Sequence, residues 1–448
     1  MKKSGKPYKV LVLGAGSVAP PVIDYLLKQS GFELILADQY SARAEKLIKD
    51  HPSGIAVGLD IHQDKPLQAA VSSADIVISL LPYVFHSRIA DACLKNKKNL
   101  ITASYVSEEL KSLDKQVRDS GLLFLNEIGL DPGLDHMEAK RIIDRAGKNN
   151  GDVLEFISYC GGLPAPEANN NPFGYKFSWS PRGVLLAGKN PADYLQDGRK
   201  IHVPARRLFK STSRIPVENI GELEGYPNRN SLSYIDLYGT RKVKTMLRGT
   251  LRYPGWCEFM DMAQSTGLLR EEEMDWFGFS CRDFVRRVSG NRESGDIRAE
   301  LASTYELDSD STFIQCLDFL ELFSEKPLPL RKGSPLDVMV HLMEAKLRYK
   351  PNERDMVILK HSFSVSYPDG TGENITSTLL DFGIPGGHSA MARTVGLPVG
   401  AAAKLVLEGS IQKTGVHIPV TPDIYQPILL EMKREGISFQ ETVKKTEI

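Results

Sequence analysis

The sequence predicts an α/β protein built on a parallel, doubly wound sheet. Three observations carry that prediction. Residues 1–130 repeat one unit, a short apolar run followed by a polar helical stretch. The runs, at residues 8–13, 32–37, 55–59, 76–81, 100–104 and 122–128, are rich in Leu and β-branched residues and do not alternate with polar ones. Strands buried on both faces read this way. A glycine-rich turn, Gly14-Ala15-Gly16-Ser17-Val18-Ala19, joins the first run to the first helix. Strands alternating with helices imply a parallel sheet covered on both sides.

Each element has a local reason. Val18, Val22 and Leu26 recur at helical spacing. Ser107 is an N-cap for a helix over residues 108–120, and Gly121 suits the C′ position. Beyond Asp131 the texture changes. Residues 132–255 are rich in Gly, Pro, Asn and Tyr, with short strand-like runs such as 155–159. Residues 256–350 read as amphipathic helices, for example 336–349. Residues 357–367 and 375–380 form a hairpin around a turn at 369–372. An Ala-rich helix over 389–407 can pack back on the first domain. At about 150 residues per domain, 448 residues make about three domains.

Lys+Arg and Asp+Glu both number 56, so the chain is formally neutral. That argues against a nucleic-acid partner, which needs a basic excess, and against an acidic disordered chain. The 42% hydrophobic content suffices for several cores. No apolar run reaches the ~18 residues of a membrane span. The basic start, residues 1–9, lacks the features of a signal or transit peptide, so a cytoplasmic protein is expected. The five cysteines are odd in number and widely spaced, which fits reduced thiols. With no CxxC, HExxH or calcium-loop pattern, no metal is assigned.

The glycine turn carries the GxGxxG/A pattern in its required strand–turn–helix context. Gly14 makes the tight turn, Gly16 lets a pyrophosphate approach the backbone, and Ala19 allows close helix–strand packing. The helix N-terminus supplies free N–H groups and partial positive charge. Asp38 ends the second run, where an acid hydrogen-bonds a ribose 2′-hydroxyl and repels a 2′-phosphate. NAD is therefore favoured over NADP, with Arg43 near enough to keep NADP open. Asp60 ends the third run, either against the adenine or as a solvated loop acid. Pro82 stops the fourth strand near the expected nicotinamide. His86 follows, as a proton carrier or as a structural residue in a first helical turn. Thr102, Ser104 and Tyr105 place hydroxyls at the same crevice. Asp131 points there too, unless Asp131-Pro132-Gly133 is only a turn.

At this point the motifs converge. Residues 102–107, 126–136, 158–167, 175–180, 226–230 and 248–253 together resemble the saccharopine dehydrogenase, L-glutamate-forming (saccharopine reductase) family. The likeness runs from the glycine motif to Ser389-Ala390-Met391-Ala392. It implies a Rossmann domain (residues 1–131, completed by about 389–448), an α/β domain with a mixed sheet (132–255 and 351–388) and a small helical insertion (256–350). It also implies a homodimer, with a substrate cleft between the first two domains. By this resemblance the substrate contacts are Ala103, Ser104, Asp131, Arg229, Thr250, Leu251 and Arg252, with Cys160 close by. The dinucleotide contacts are Ala15, Gly16, Ser17, Val18, Asp38, Asp60, Leu80, Gly129, Leu130, Asp131 and Trp179, beside Gly14, Thr102 and Ala103. NADP-using fungal members carry an Arg where Gln39 stands here, which again favours NAD.

The implied reaction is the oxidation of saccharopine, a secondary amine with three carboxylates and a primary ammonium group. The cofactor takes a hydride, and the resulting imine hydrolyses to glutamate and α-aminoadipate semialdehyde. Arg229 and Arg252 suit the carboxylates, because a planar guanidinium binds two oxygens at once. The proton acceptor is left among Asp131, Tyr105, His86 and solvent. Two other readings stand beside this one. The first is a related imine-reducing enzyme such as a carboxynorspermidine dehydrogenase. The second is a non-catalytic dinucleotide-binding sensor.

Overall fold

The computed structural model describes residues 6–290 and 295–447. Residues 1–5 of the basic start, 291–294 of the expected insertion, and 448 lie outside it. The chain forms two compact units, residues 1–151 with 387–441 and residues 152–386 with 442–448.

The first unit holds a seven-stranded, wholly parallel sheet. Its first six strands are β1 (Tyr8–Leu13), β2 (Phe32–Asp38), β3 (Gly54–Gly58), β4 (Ile76–Ser79), β5 (Asn99–Thr102) and β6 (Leu123–Leu125). The spatial order is β3-β2-β1-β4-β5-β6, and Gly415–His417 adds the seventh strand beside β6. The order reverses between β1 and β4, so the ligand crevice lies at their C-terminal ends. Val10, Leu11, Val12, Ile76, Val77 and Ile78 are fully buried, as expected of strands covered on both faces.

Two helices behave differently from expectation. Ser107 does cap its helix, accepting the Leu110 amide at 3.2 Å, but the helix breaks at Leu113 into Glu108–Ser112 and Asp114–Asp119. The helix Ala390–Leu407 is long and apolar enough to cross a membrane, contrary to the sequence reading. Two-thirds of it is buried in this unit, where it packs along the helix Ala19–Leu27. A core helix of a globular unit meets the same length and polarity test.

The second unit is built on a nine-stranded mixed sheet. Its main path runs Ser213–Val217, Gly221–Pro227, Thr245–Arg252, Asp152–Pro164, Asp355–Ser366, Thr371–Phe382 and Gln440–Glu447. The pair Thr245–Arg252 and Asp152–Pro164 is parallel. The expected hairpin is present and longer, Asp355–Ser366 against Thr371–Phe382. The helices between residues 256 and 346 do not make a third unit. They share one continuous core with the sheet, in which Phe173 meets Phe259 at 4.7 Å and Tyr175 meets Trp256 at 4.6 Å. The last strand also departs from expectation, joining the second sheet instead of completing the first domain.

Candidate active site

In the first unit the glycine turn meets the end of β2. Gly14 has φ +102°, and a Cβ there would lie 3.3 Å from the Leu80 backbone, so no side chain fits. A Cβ on Gly16 would meet nothing within 4 Å, so the loop faces open space where a phosphate needs it. The expected helix donors are fewer than the sequence suggested. The Ala19 amide donates to Gly16 O at 3.1 Å, and Pro20 and Pro21 carry no N–H. Among the described residues the Gly16, Ser17 and Val18 amides are left as the loop's donors.

Asp38 ties the two segments together. Its Oδ2 accepts the Ala15 amide at 2.8 Å and its Oδ1 the Tyr40 amide at 2.9 Å. Each carboxylate oxygen keeps a second lone pair for a ribose hydroxyl. A cleft of about 320 Å³ brings Gly14, Gly16, Asp38, Asp60 and Leu80 together. Asp60 is also a turn-former, with Oδ1 accepting the His62 amide at 2.9 Å. Arg88 holds the same loop through Ile61 O at 2.7 Å and His62 O at 2.8 Å.

The ends of β4, β5 and β6 carry the hydroxyl-rich side of the unit. His86 is 2% exposed, with Nδ1 at 3.1 Å from Ser79 Oγ. Its Nε2 lies 2.8 Å from Ser104 Oγ and 3.1 Å from Thr102 Oγ1. Burial pushes its pKa down to about 4. A proton carrier needs a pKa near the working pH, so the neutral imidazole here is a hydrogen-bonding support. Of the two readings of His86, this environment favours the structural one. Tyr105 is exposed, and its hydroxyl stands 3.5 Å from Asp131 Oδ1.

Asp131 sits in a tight knot. The Gly129 amide donates to Pro132 O at 3.0 Å and the Leu134 amide to Gly129 O at 2.8 Å. Gly133 has φ +147°, and a Cβ there would fall 2.0 Å from Gly129 O. A Cβ added to Gly129 would lie 3.2 Å from Ala103 Cβ, so Ala103 stands beside the segment of Gly129, Leu130 and Asp131. Sequence reasoning gave no role to Glu127 or His136. Glu127 is buried with φ +59°, Oε1 accepts the Val106 amide at 3.0 Å, and Oε2 lies 2.8 Å from His136 Nε2. Its own amide donates to Ser104 O at 3.1 Å, locking the loops after β5 and β6 to each other. Their only sequence signal is that both fall inside the matched stretch 126–136.

The second unit holds the remaining expected residues. Arg252 is 4% exposed, with its guanidinium 4.9 Å over the Tyr175 ring and 5.7 Å over Trp256. Nη1 donates to Leu251 O at 2.7 Å, while Nε has no partner among the described residues. Burial works against its charge, and Tyr226, Tyr175, Cys257 and Cys160 act the other way. The Tyr175 hydroxyl is likewise buried. No carboxylate pairs with Arg252 among the described residues, so the set suits an incoming carboxylate. Cys160 and Thr250 are register partners on adjacent strands and both are partly exposed. Leu251 is fully buried, close beside Gly161, and its carbonyl accepts Arg252 Nη1. Arg229 is exposed in a loop with φ +54°, held where the Asp193 amide donates to Arg229 O at 2.9 Å. Trp179 is 43% exposed, just before the helix Pro181–Leu186.

Known proteins carry the same pattern. Residues 10–125 match the saccharopine dehydrogenase NADP binding domain, and residues 129–437 the saccharopine dehydrogenase C-terminal domain. The chain is 39% identical over 441 residues to the NADP(+), L-glutamate-forming saccharopine dehydrogenase of Saccharomyces cerevisiae, covering 96% of this chain and 98% of that one. It is 40% identical over 457 residues to the mitochondrial alpha-aminoadipic semialdehyde synthase of Bos taurus, covering 98% of this chain and 48% of that one. It thus spans about half the length of the cattle relative. The apo, histidine-tagged saccharopine dehydrogenase (L-Glu forming) from S. cerevisiae is similar in structure, with a TM-score of 0.91 at 37% identity over 98% of this chain and 100% of that one. With its glycine turn, hydroxyl-rich strand ends and buried arginine in a sequence alike over nearly its whole length, the chain belongs to the saccharopine dehydrogenase family.

Proposed function

We propose that the protein is an oxidoreductase acting on a CH–NH bond, oxidising L-saccharopine to L-glutamate and α-aminoadipate semialdehyde, or running the reverse, in lysine metabolism. The observation that carries this is Arg252, a buried cation with an orphaned Nε and no carboxylate partner among the described residues. Burying an unpaired charge is costly unless a ligand completes it. A substrate with three carboxylates does so. The relative from S. cerevisiae, named for this activity, aligns over 98% of its own length, which supports the same reading.

The first unit fits a nicotinamide dinucleotide by its Gly16 cradle and the Asp38 carboxylate. The chemistry such a cofactor would supply is acceptance of a hydride from the carbon attached to the secondary amine. The chain's own residues do the rest. Arg252 and Arg229 each grip a substrate carboxylate and so orient the amine. Asp131, with the Tyr105 hydroxyl at 3.5 Å, takes the amine proton and directs the water that adds to the imine. Ser104, backed by neutral His86, offers a hydroxyl to the substrate.

We infer NAD as the preferred cofactor. The Asp38 charge at the end of β2 opposes a 2′-phosphate, and Gln39 adds no cation. NADP is the second reading, favoured by the printed names of the fungal relatives and of the first matched domain. A homodimer belongs to the same proposal and is checked by light scattering. Absorbance at 340 nm with saccharopine and each cofactor tests the activity.

A further inference from the structure

We propose that Arg43, stacked on Tyr40, is the adenine-recognition element of the dinucleotide cleft, where its guanidinium lies against the face of the purine. The proposal rests on the reading that the first unit binds a dinucleotide, and names what holds the adenosine end.

Five observations lead there. Tyr40 is 59% exposed and belongs to neither buried core, so its ring is open to a ligand. The Arg43 guanidinium lies 4.8 Å over that ring, which can hold it in place while its other face is turned away from Tyr40. Arg43 stands in the first turn of the helix Ser41–Ile48, where a cation opposes the helix dipole. No carboxylate pairs with it among the described residues, so local electrostatics do not explain it. Finally, both residues line the cleft that holds Gly14, Gly16 and Asp38.

The rest of that cleft suits a purine. Leu59, Leu80, Leu81 and Phe85 line it, and His62 stands edge-on to Phe85 at 5.5 Å. A slot with apolar sides and one delocalised cation accepts a flat, electron-rich ring by stacking. Asp38 lies at the base of the same slot, where a ribose hydroxyl attached to that ring would reach it. Because a guanidinium acts on the ring face, it serves NAD and NADP alike. That separates this role from a grip on a 2′-phosphate, which would serve NADP alone.

The test is equilibrium binding by calorimetry of NAD, NADP, AMP and nicotinamide mononucleotide to the full chain, wild type against Arg43→Ala and Tyr40→Leu. Arg43→Ala should weaken NAD, NADP and AMP by a similar factor, roughly three- to thirtyfold, and leave nicotinamide mononucleotide unchanged. Tyr40→Leu should move the same three ligands in the same direction. Circular dichroism matching the wild type shows that each variant folds. Weakening of NADP alone would make Arg43 a phosphate ligand and overturn the proposal, as would unchanged NAD and AMP affinity. A wild type that binds neither dinucleotide would overturn the dinucleotide reading itself and this proposal with it. That outcome shows in the unmodified protein, whereas failure of the proposal alone shows only in the variants.

Discussion

Asp38 Oδ2 accepts the backbone amide of Ala15 at 2.8 Å, so one carboxylate both shapes the glycine turn and faces the nucleotide cleft. Two effects of its removal can therefore be separated. Asp38→Asn keeps the shape and one acceptor oxygen, enough for the Ala15 amide but not for the Tyr40 amide as well, and loses the charge. It should raise NADP affinity relative to NAD by about tenfold, as expected for relief of a close like-charge contact. Asp38→Ala also frees the Ala15 amide and should weaken both cofactors, NAD more. Fluorescence titration of both cofactors measures this. A wild type that prefers NADP would sink the argument from Asp38.

Arg252 offers a test in which activity and stability move in opposite directions. Its charge is buried without an ion-pair partner among the described residues, so Arg252→Met, of similar length, should leave the free protein as stable or more stable, by about 1 kcal/mol. The same change should lower kcat/KM for saccharopine at least tenfold, because a charge-assisted hydrogen bond to the substrate is lost. Chemical unfolding and steady-state kinetics on one preparation give both numbers. Lost stability at unchanged kcat/KM would make Arg252 a structural residue.

Arg229 is exposed, so its loss should leave folding alone. Arg229→Ala should raise the KM for saccharopine roughly tenfold to a hundredfold while NAD affinity stays near wild type. Equal loss of both would point to a disturbed fold instead.

His86 ties stability to pH. Burial lowers its pKa from 6.5 to about 4, so the folded chain resists a proton that the unfolded chain accepts. As pH falls from about 6.5 to about 4 the unfolded state binds more protons, and stability must drop, by roughly 3 kcal/mol at most. His86→Gln removes that term. Urea midpoints at pH 7.5 and 5.0 should differ less for the variant than for the wild type. An equal difference would show that His86 is not held neutral.

Much of the first unit was legible because a parallel strand buried on both faces leaves an unbroken apolar run. All six expected strands stand in place, with ends shifted by at most three residues. The seventh, Gly415–His417, was missed because three residues far from the others carry no period. The expected third domain failed for a different reason. Its helices are amphipathic, as read, but their apolar faces bury in one core with the sheet's Leu163 and Leu251 and the loop's Phe173 and Tyr175, and pattern alone does not name a partner. At the site, residues set by backbone geometry were readable, Gly14 and Gly16 above all. Glu127 and His136 were not, because a buried acid–imidazole pair nine residues apart has no spacing rule to betray it.

The most direct test of the account is the initial rate of absorbance rise at 340 nm when the purified protein meets L-saccharopine and either NAD or NADP. The account predicts reduction of the nicotinamide with stoichiometric glutamate, faster with NAD. No absorbance rise with either cofactor, from folded protein that binds the dinucleotide, would contradict it.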